Sequence, residues 1–131
     1  MSAIPTPLDV ALRRHPLITP APHDPTADEP FLQLYERGIT GSKLHRNTKL
    51  VALTLAAHAA WETGDIPPGA QPHLAGLVEE TRLLEAQVVL ALTTLAQRGW
   101  LSRANRRERW DTADVRLTIP SAIMRCLKTR S

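Results

Sequence analysis

Between Asn47 and Ile119 the apolar residues of this chain change their period once. They recur at three- and four-residue intervals in Leu50, Leu53, Ala57 and Trp61, then in Leu74, Leu77 and Val78, then in Val88, Ala91, Leu92 and Leu95. After Gly99 they alternate, in Val115, Leu117 and Ile119. The first spacing gathers side chains on one face of a helix and the second on one face of a strand. The pattern therefore predicts three helices followed by a half-buried β-hairpin, a mainly α fold with a small β element.

Punctuation residues set the expected boundaries. A long helix is predicted from about Asn47, which caps it, to Thr63, with Gly64 as its stop. Gly64-Asp65-Ile66-Pro67-Pro68-Gly69 is incompatible with helix and places Ile66 in a short strand or extended bridge. Pro72 suits the first turn of a helix to about Thr81, with Leu74, Leu77 and Val78 inward. A break at Arg82-Leu83 precedes another helix, from Leu84 or Glu85 to Arg98, and Gly99 ends it. Trp100 and Leu101 open a strand, 114–119 returns, and the residues between form a hairpin tip.

Short helices are expected on either side. One runs from Glu29 or Pro30 to Arg37, ends at Gly38 and presents Phe31, Leu34 and Tyr35. The other starts at Pro120-Ser121 and presents Ile123, Met124 and Leu127. Before them, seven of the eleven prolines fall in residues 1–30, which predicts a disordered arm with one short helical turn around Asp9–Arg14. Within that arm Arg13-Arg14-His15 could meet phosphate or a second subunit. The expected organisation is a Pro-rich arm over 1–28 and one domain over 29–131.

Several function classes are disfavoured. A single cysteine, Cys126, rules out an intramolecular disulfide framework and suits a reducing cytosol. No apolar stretch approaches the roughly 20 residues of a membrane span, and the basic-then-apolar layout of a secretory signal is missing. The expectation is a soluble, cytoplasmic protein. His15, His23, His45, His58 and His73 show no metal-ligand spacing, and no phosphate loop, nucleophile elbow or Cys–His constellation can be assembled. Neither catalysis nor a cofactor is expected.

Charge points to a partner. The net charge of +3 divides into −2 over 1–30, +3 over 31–60, −4 over 61–97 and +6 over 98–131. The last third suits a polyanion. Arg103, Arg106, Arg107 and Arg109 crowd the hairpin tip with Glu108 among them, where arginine suits the phosphate backbone or the negative potential of a minor groove. Trp110 is expected to anchor the base of the tip by packing. A second basic set, Lys43, His45, Arg46 and Lys49, opens the long helix and is a candidate for backbone contact.

Three segments carry a family likeness: Lys49-Leu50-Val51-Ala52-Leu53-Thr54-Leu55-Ala56-Ala57-His58-Ala59, Leu74-Ala75-Gly76-Leu77-Val78-Glu79-Glu80-Thr81, and Val88 with Ala91-Leu92, Leu95 and Arg98-Gly99-Trp100-Leu101. On these residues the chain resembles the winged helix-turn-helix family, over about 47–119, and in particular the DNA-binding modules of bacterial, plasmid and phage regulators and replication initiators. The resemblance implies that the third helix enters the major groove while the wing grips backbone or minor groove. It further implies a transcriptional regulator, most simply a repressor, that acts as a nucleoid-associated homodimer on duplex DNA. The spare apolar faces of the two flanking helices would serve the dimer.

Two departures from the family pattern stand out. Arg82 occupies the position where the turn usually carries glycine, so a left-handed backbone there costs energy. The outward positions of the third helix read Glu85, Ala86, Gln87, Val89, Leu90, Thr93 and Thr94, which is not a basic face. Gln87 suits adenine, Thr93 and Thr94 suit phosphate or base edges, Val89 or Leu90 suits a thymine methyl, and Glu85 a cytosine amino group. Alternative readings are a protein-interaction adaptor working through Val89-Leu90, and a replication or partition DNA-binding protein.

Overall fold

The computed structural model describes residues 16–129 of the 131-residue chain. The turn expected around Asp9–Arg14 and the Arg13-Arg14-His15 cluster lie outside the described residues. The elements are α1 (Phe31–Thr40), α2 (Arg46–Ala57), α3 (His73–Thr81), α4 (Glu85–Gln97), β1 (Leu101–Arg103), β2 (Val115–Leu117) and α5 (Ser121–Thr129). The fold is thus mainly helical with one antiparallel two-stranded hairpin, in the register Leu101 to Leu117 and Arg103 to Val115.

The core forms around α4, whose Val88, Ala91, Leu92 and Leu95 are all buried. Against them lie Val51, Ala52, Leu55 and Ala56 of α2 and Leu74 and Leu77 of α3. Each large apolar side chain so buried contributes about 1.5–3 kcal/mol. The apolar spacing expected for α3 and α4 is the one observed, except that Val78 is only half-buried.

For α2 the expectation needs correcting in three respects. The helix stops at Ala57 instead of Thr63, its cap is His45 instead of Asn47, and its buried face is Thr48, Val51, Ala52, Leu55 and Ala56. Leu50 and Trp61 are 41% and 51% exposed. Apolar residues fill so many positions of this segment that two neighbouring faces satisfy a helical period, and packing against α4 selects one. Past that end, the carbonyls of Trp61 and Glu62 accept from the first amides of α1, Leu32 N–H and Phe31 N–H respectively, both at 3.1 Å. Those amides have no partner inside their own helix. Gly64 turns the chain at φ +75, and the ring of Phe31 occupies the space a side chain would need.

Gly38 does not end α1, which continues to Thr40. A Cβ on Gly38 would stand 2.9 Å from the Trp100 ring, so this glycine permits close approach. Tyr35 completes the junction: its hydroxyl donates to the Trp100 carbonyl at 2.9 Å, and the two rings meet edge to face at 5.6 Å. Burial pushes the Tyr35 hydroxyl pKa well up.

The apolar faces expected to serve a dimer are used within the chain. Phe31, Leu34, Tyr35, Met124 and Leu127 are all buried, and Ile123 packs against them half-buried.

Ile66 is buried but belongs to neither a strand nor a bridge. Instead the Gln71 side chain bridges it to the hairpin: Nε2 donates to Ile66 O (3.1 Å) and Val115 O (2.9 Å), and Oε1 accepts from Val115 N–H (3.0 Å). A side-chain amide thereby satisfies backbone groups on the outer edge of β2 that a third strand would otherwise pair.

The described part of the arm also departs from the expectation of disorder. Residues 16–28 lie on the body, with Ala21 N–H donating to Ile119 O and Ser121 N–H to Thr19 O, each at 2.9 Å. Gly99, at φ +84, leaves room for the Ile18 carbonyl.

Candidate nucleic-acid interface

The turn between α3 and α4 sets which face of α4 is presented. Arg82 takes the left-handed conformation, φ 62 and ψ 18, at a cost of about 1–2 kcal/mol for a residue other than glycine. Thr81 supports it: Oγ1 donates to Leu77 O at 2.6 Å and accepts from Leu83 N–H at 3.3 Å. The arginine therefore adopts a backbone conformation that glycine would take without strain.

On a helix of 3.6 residues per turn, the face of α4 opposite the core divides into a ridge and two flanks. Ala86, Leu90 and Gln97 form the ridge, all exposed, with Leu90 at 68%. Val89 and Thr93 lie towards the hairpin. Gln87 and Thr94, continued by Arg98, lie towards α2.

Much of this polar chemistry is already engaged. Gln87 Oε1 accepts from Leu84 N–H at 2.9 Å and so caps the helix. Thr93 and Thr94 donate their hydroxyl protons to Val89 O (2.8 Å) and Leu90 O (2.9 Å), which leaves the Thr94 oxygen as an acceptor, while that of Thr93 receives Trp110 Nε1. Glu85 is exposed in the first turn, where a negative charge favours the helix N-terminus.

The hairpin loop is braced from inside. Arg103 Nη1 donates to Glu108 O at 2.6 Å, and its guanidinium lies 3.8 Å from the centre of the Trp110 ring. Trp110 Nε1 in turn donates to Thr93 Oγ1 on α4 at 3.3 Å. Arg103 thus serves the loop's own structure, and Trp110 anchors its base to the helix. Arg109 pairs with Asp111 at 3.5 Å while 87% exposed, a geometry of little energetic weight. Arg106 and Arg107 are exposed at the tip and form no ion pair; the Arg107 amide donates to Asn105 Oδ1 at 3.0 Å and shapes the bend.

At the start of α2 the basic residues divide similarly. Lys49 Nζ donates to the Thr40 carbonyl at 3.0 Å, and His45 Nδ1 accepts from Asn47 N–H at 3.1 Å. Lys43 and Arg46 are exposed and form no ion pair. Between this segment and α4 runs a groove of about 420 Å³ lined by Lys43, Asn47, Gln87, Leu90, Thr94 and Arg98, among others. It joins part of the predicted recognition set to part of the predicted backbone set.

Arg98 was absent from both predicted sets. Its spacing of eleven from Gln87 and four from Thr94 places it on their flank, a signal obscured by its reading as the end of the helix.

Two further pairs lie between elements: His58 Nε2, just past the end of α2, is 2.7 Å from Glu80 of α3, and His73 Nε2 of α3 is 2.8 Å from Asp114 beside β2. Among the described residues no group of three or more His, Cys, Asp or Glu is gathered for a metal, and no helix is long and apolar enough to cross a membrane. Searches against protein-family models, curated proteins and solved structures each return no match, so the geometry above is what a functional reading of this surface rests on.

Proposed function

We propose that the chain is a winged helix-turn-helix regulator that binds double-stranded DNA, with α3 and α4 as the helix-turn-helix and the β1–β2 hairpin as the wing. The observation that carries this reading is the wing itself: Arg106 and Arg107 are exposed and unpaired on a loop whose base is hydrogen-bonded to α4 through Trp110. Two unpaired guanidinium groups held beside a helix suit the phosphates bordering a major groove that the helix enters. Gln87, Leu90, Thr93 and Thr94 would then read base edges, and occupancy would exclude polymerase, which makes repression the simplest output. The buried flanking helices lend no support to a dimer.

A salt series on labelled duplex DNA tests the reading. Phosphate contact predicts that log affinity falls linearly with log salt. A chain with no affinity for duplex DNA at low salt would sink the proposal. One observation favours a second reading, a protein-interaction adaptor: Leu84 and Leu90 are 71% and 68% exposed at the start and middle of α4.

A further inference from the structure

We infer that Arg98 and Lys43 form a second phosphate-binding flank, on the side of α4 opposite the wing, so that α4 is bracketed by cations in duplex DNA. The inference rests on the DNA-binding reading and adds to it a contact that neither the wing nor the ridge supplies.

A major groove is about 12 Å wide and bordered by a backbone on each side. A helix with its side chains is about 10–12 Å across. A helix seated in the groove therefore meets phosphates on both flanks. On one flank Thr93 receives Trp110 Nε1, and the wing follows. On the other, Gln87, Thr94 and Arg98 face the groove shared with Lys43 and Asn47.

The electrostatics of the second flank favour an anion. No aspartate or glutamate lines the groove, and neither Arg98 nor Lys43 has an ion-pair partner. Lys49, by contrast, is directed onto the Thr40 carbonyl, which separates the inward cation of this segment from the outward ones. Asn47 adds a side-chain amide along the same wall, and Leu90 closes it on the ridge side. A sugar-phosphate strand matches such a wall: anionic at the phosphates and less polar at the sugar.

The test is the salt dependence of binding to a labelled duplex, measured for wild type, for Lys43→Ala/Arg98→Ala and for Arg106→Ala/Arg107→Ala. Each phosphate contact contributes about 0.9 to the slope of log affinity against log salt. The Lys43→Ala/Arg98→Ala variant should lose roughly two units of slope, and the fourfold variant the sum of both losses. Lys43→Arg/Arg98→Lys should restore the slope, since phosphate contact needs charge more than shape. Circular dichroism melting of each variant checks that the fold persists, as expected for exposed positions. If the wing variant lowers the slope and Lys43→Ala/Arg98→Ala does not, the second flank is overturned and the DNA-binding reading stands. If wild type fails to bind at all, both fall together.

Discussion

At the hairpin tip Arg106 and Arg107 stand exposed without acidic partners, whereas the adjoining ridge of α4 exposes Ala86, Leu90 and Gln97. The two surfaces are tied by one hydrogen bond, Trp110 Nε1 to Thr93 Oγ1, yet their chemistry is almost disjoint. The tip carries charge and no shape suited to a base; the ridge carries shape and no charge. Since phosphate contacts position a protein on a duplex and base contacts specify the site, affinity and discrimination would reside in separable residues. A surface of this kind can lose one property and retain the other.

Removing the tip charges should give the largest effect. Arg106→Ala/Arg107→Ala is expected to weaken duplex binding roughly tenfold to a hundredfold at physiological salt, with the ranking among DNA sequences preserved. An altered ranking, read by competition binding, would break the division between tip and ridge.

Trp110→Ala should weaken binding less, by about five- to tenfold, because it frees the loop without discharging it. Its distinctive result is a double-mutant cycle with the tip variant: if Trp110 positions the arginines, the two losses combine to less than their sum. Full additivity would mean the tip acts without its anchor.

Leu90→Ser addresses the ridge. At 68% exposure the change should shift stability by less than about 0.5 kcal/mol while changing preference among sequences by roughly two- to fivefold, below the roughly 1–3 kcal/mol of a bidentate base contact because an apolar side chain offers no hydrogen bond. Unaltered preference, together with loss of a protein partner, would favour the adaptor reading.

The smallest effect concerns the turn that orients the ridge. Arg82→Gly relieves the left-handed strain at φ 62 and should raise stability by about 0.5–1 kcal/mol, visible as a higher midpoint in chemical denaturation. A lower midpoint would show that the arginine side chain contributes more than its backbone costs.

Different parts of this arrangement were legible in the sequence to different degrees. The kinds of element, their order and the glycine stop at Gly99 follow from local periodicity and local backbone preference, and α3 and α4 match the expected spans closely. The crowded arginines were legible as a group, but not their separate employment. Arg103 turns onto Glu108 and Trp110, and Lys49 onto Thr40, because a side chain's engagement depends on what folding brings beside it. Gly38 reads as a helix stop when only its conformational freedom is considered. It is a contact point because Trp100, 62 positions later in the chain, packs against it.

The sequence alone determined the helical and hairpin segments, the charge imbalance and the core face of α4, since each follows from residues within a few positions of one another. Tertiary structure decided which face of α2 is buried, that the flanking helices close on their own chain, and that Gln71 serves β2 in place of a strand. It also decided that Arg98 shares a groove with Lys43. Each of these depends on contacts between segments tens of residues apart, where the free energy of burial and hydrogen bonding selects among local patterns that periodicity leaves equivalent.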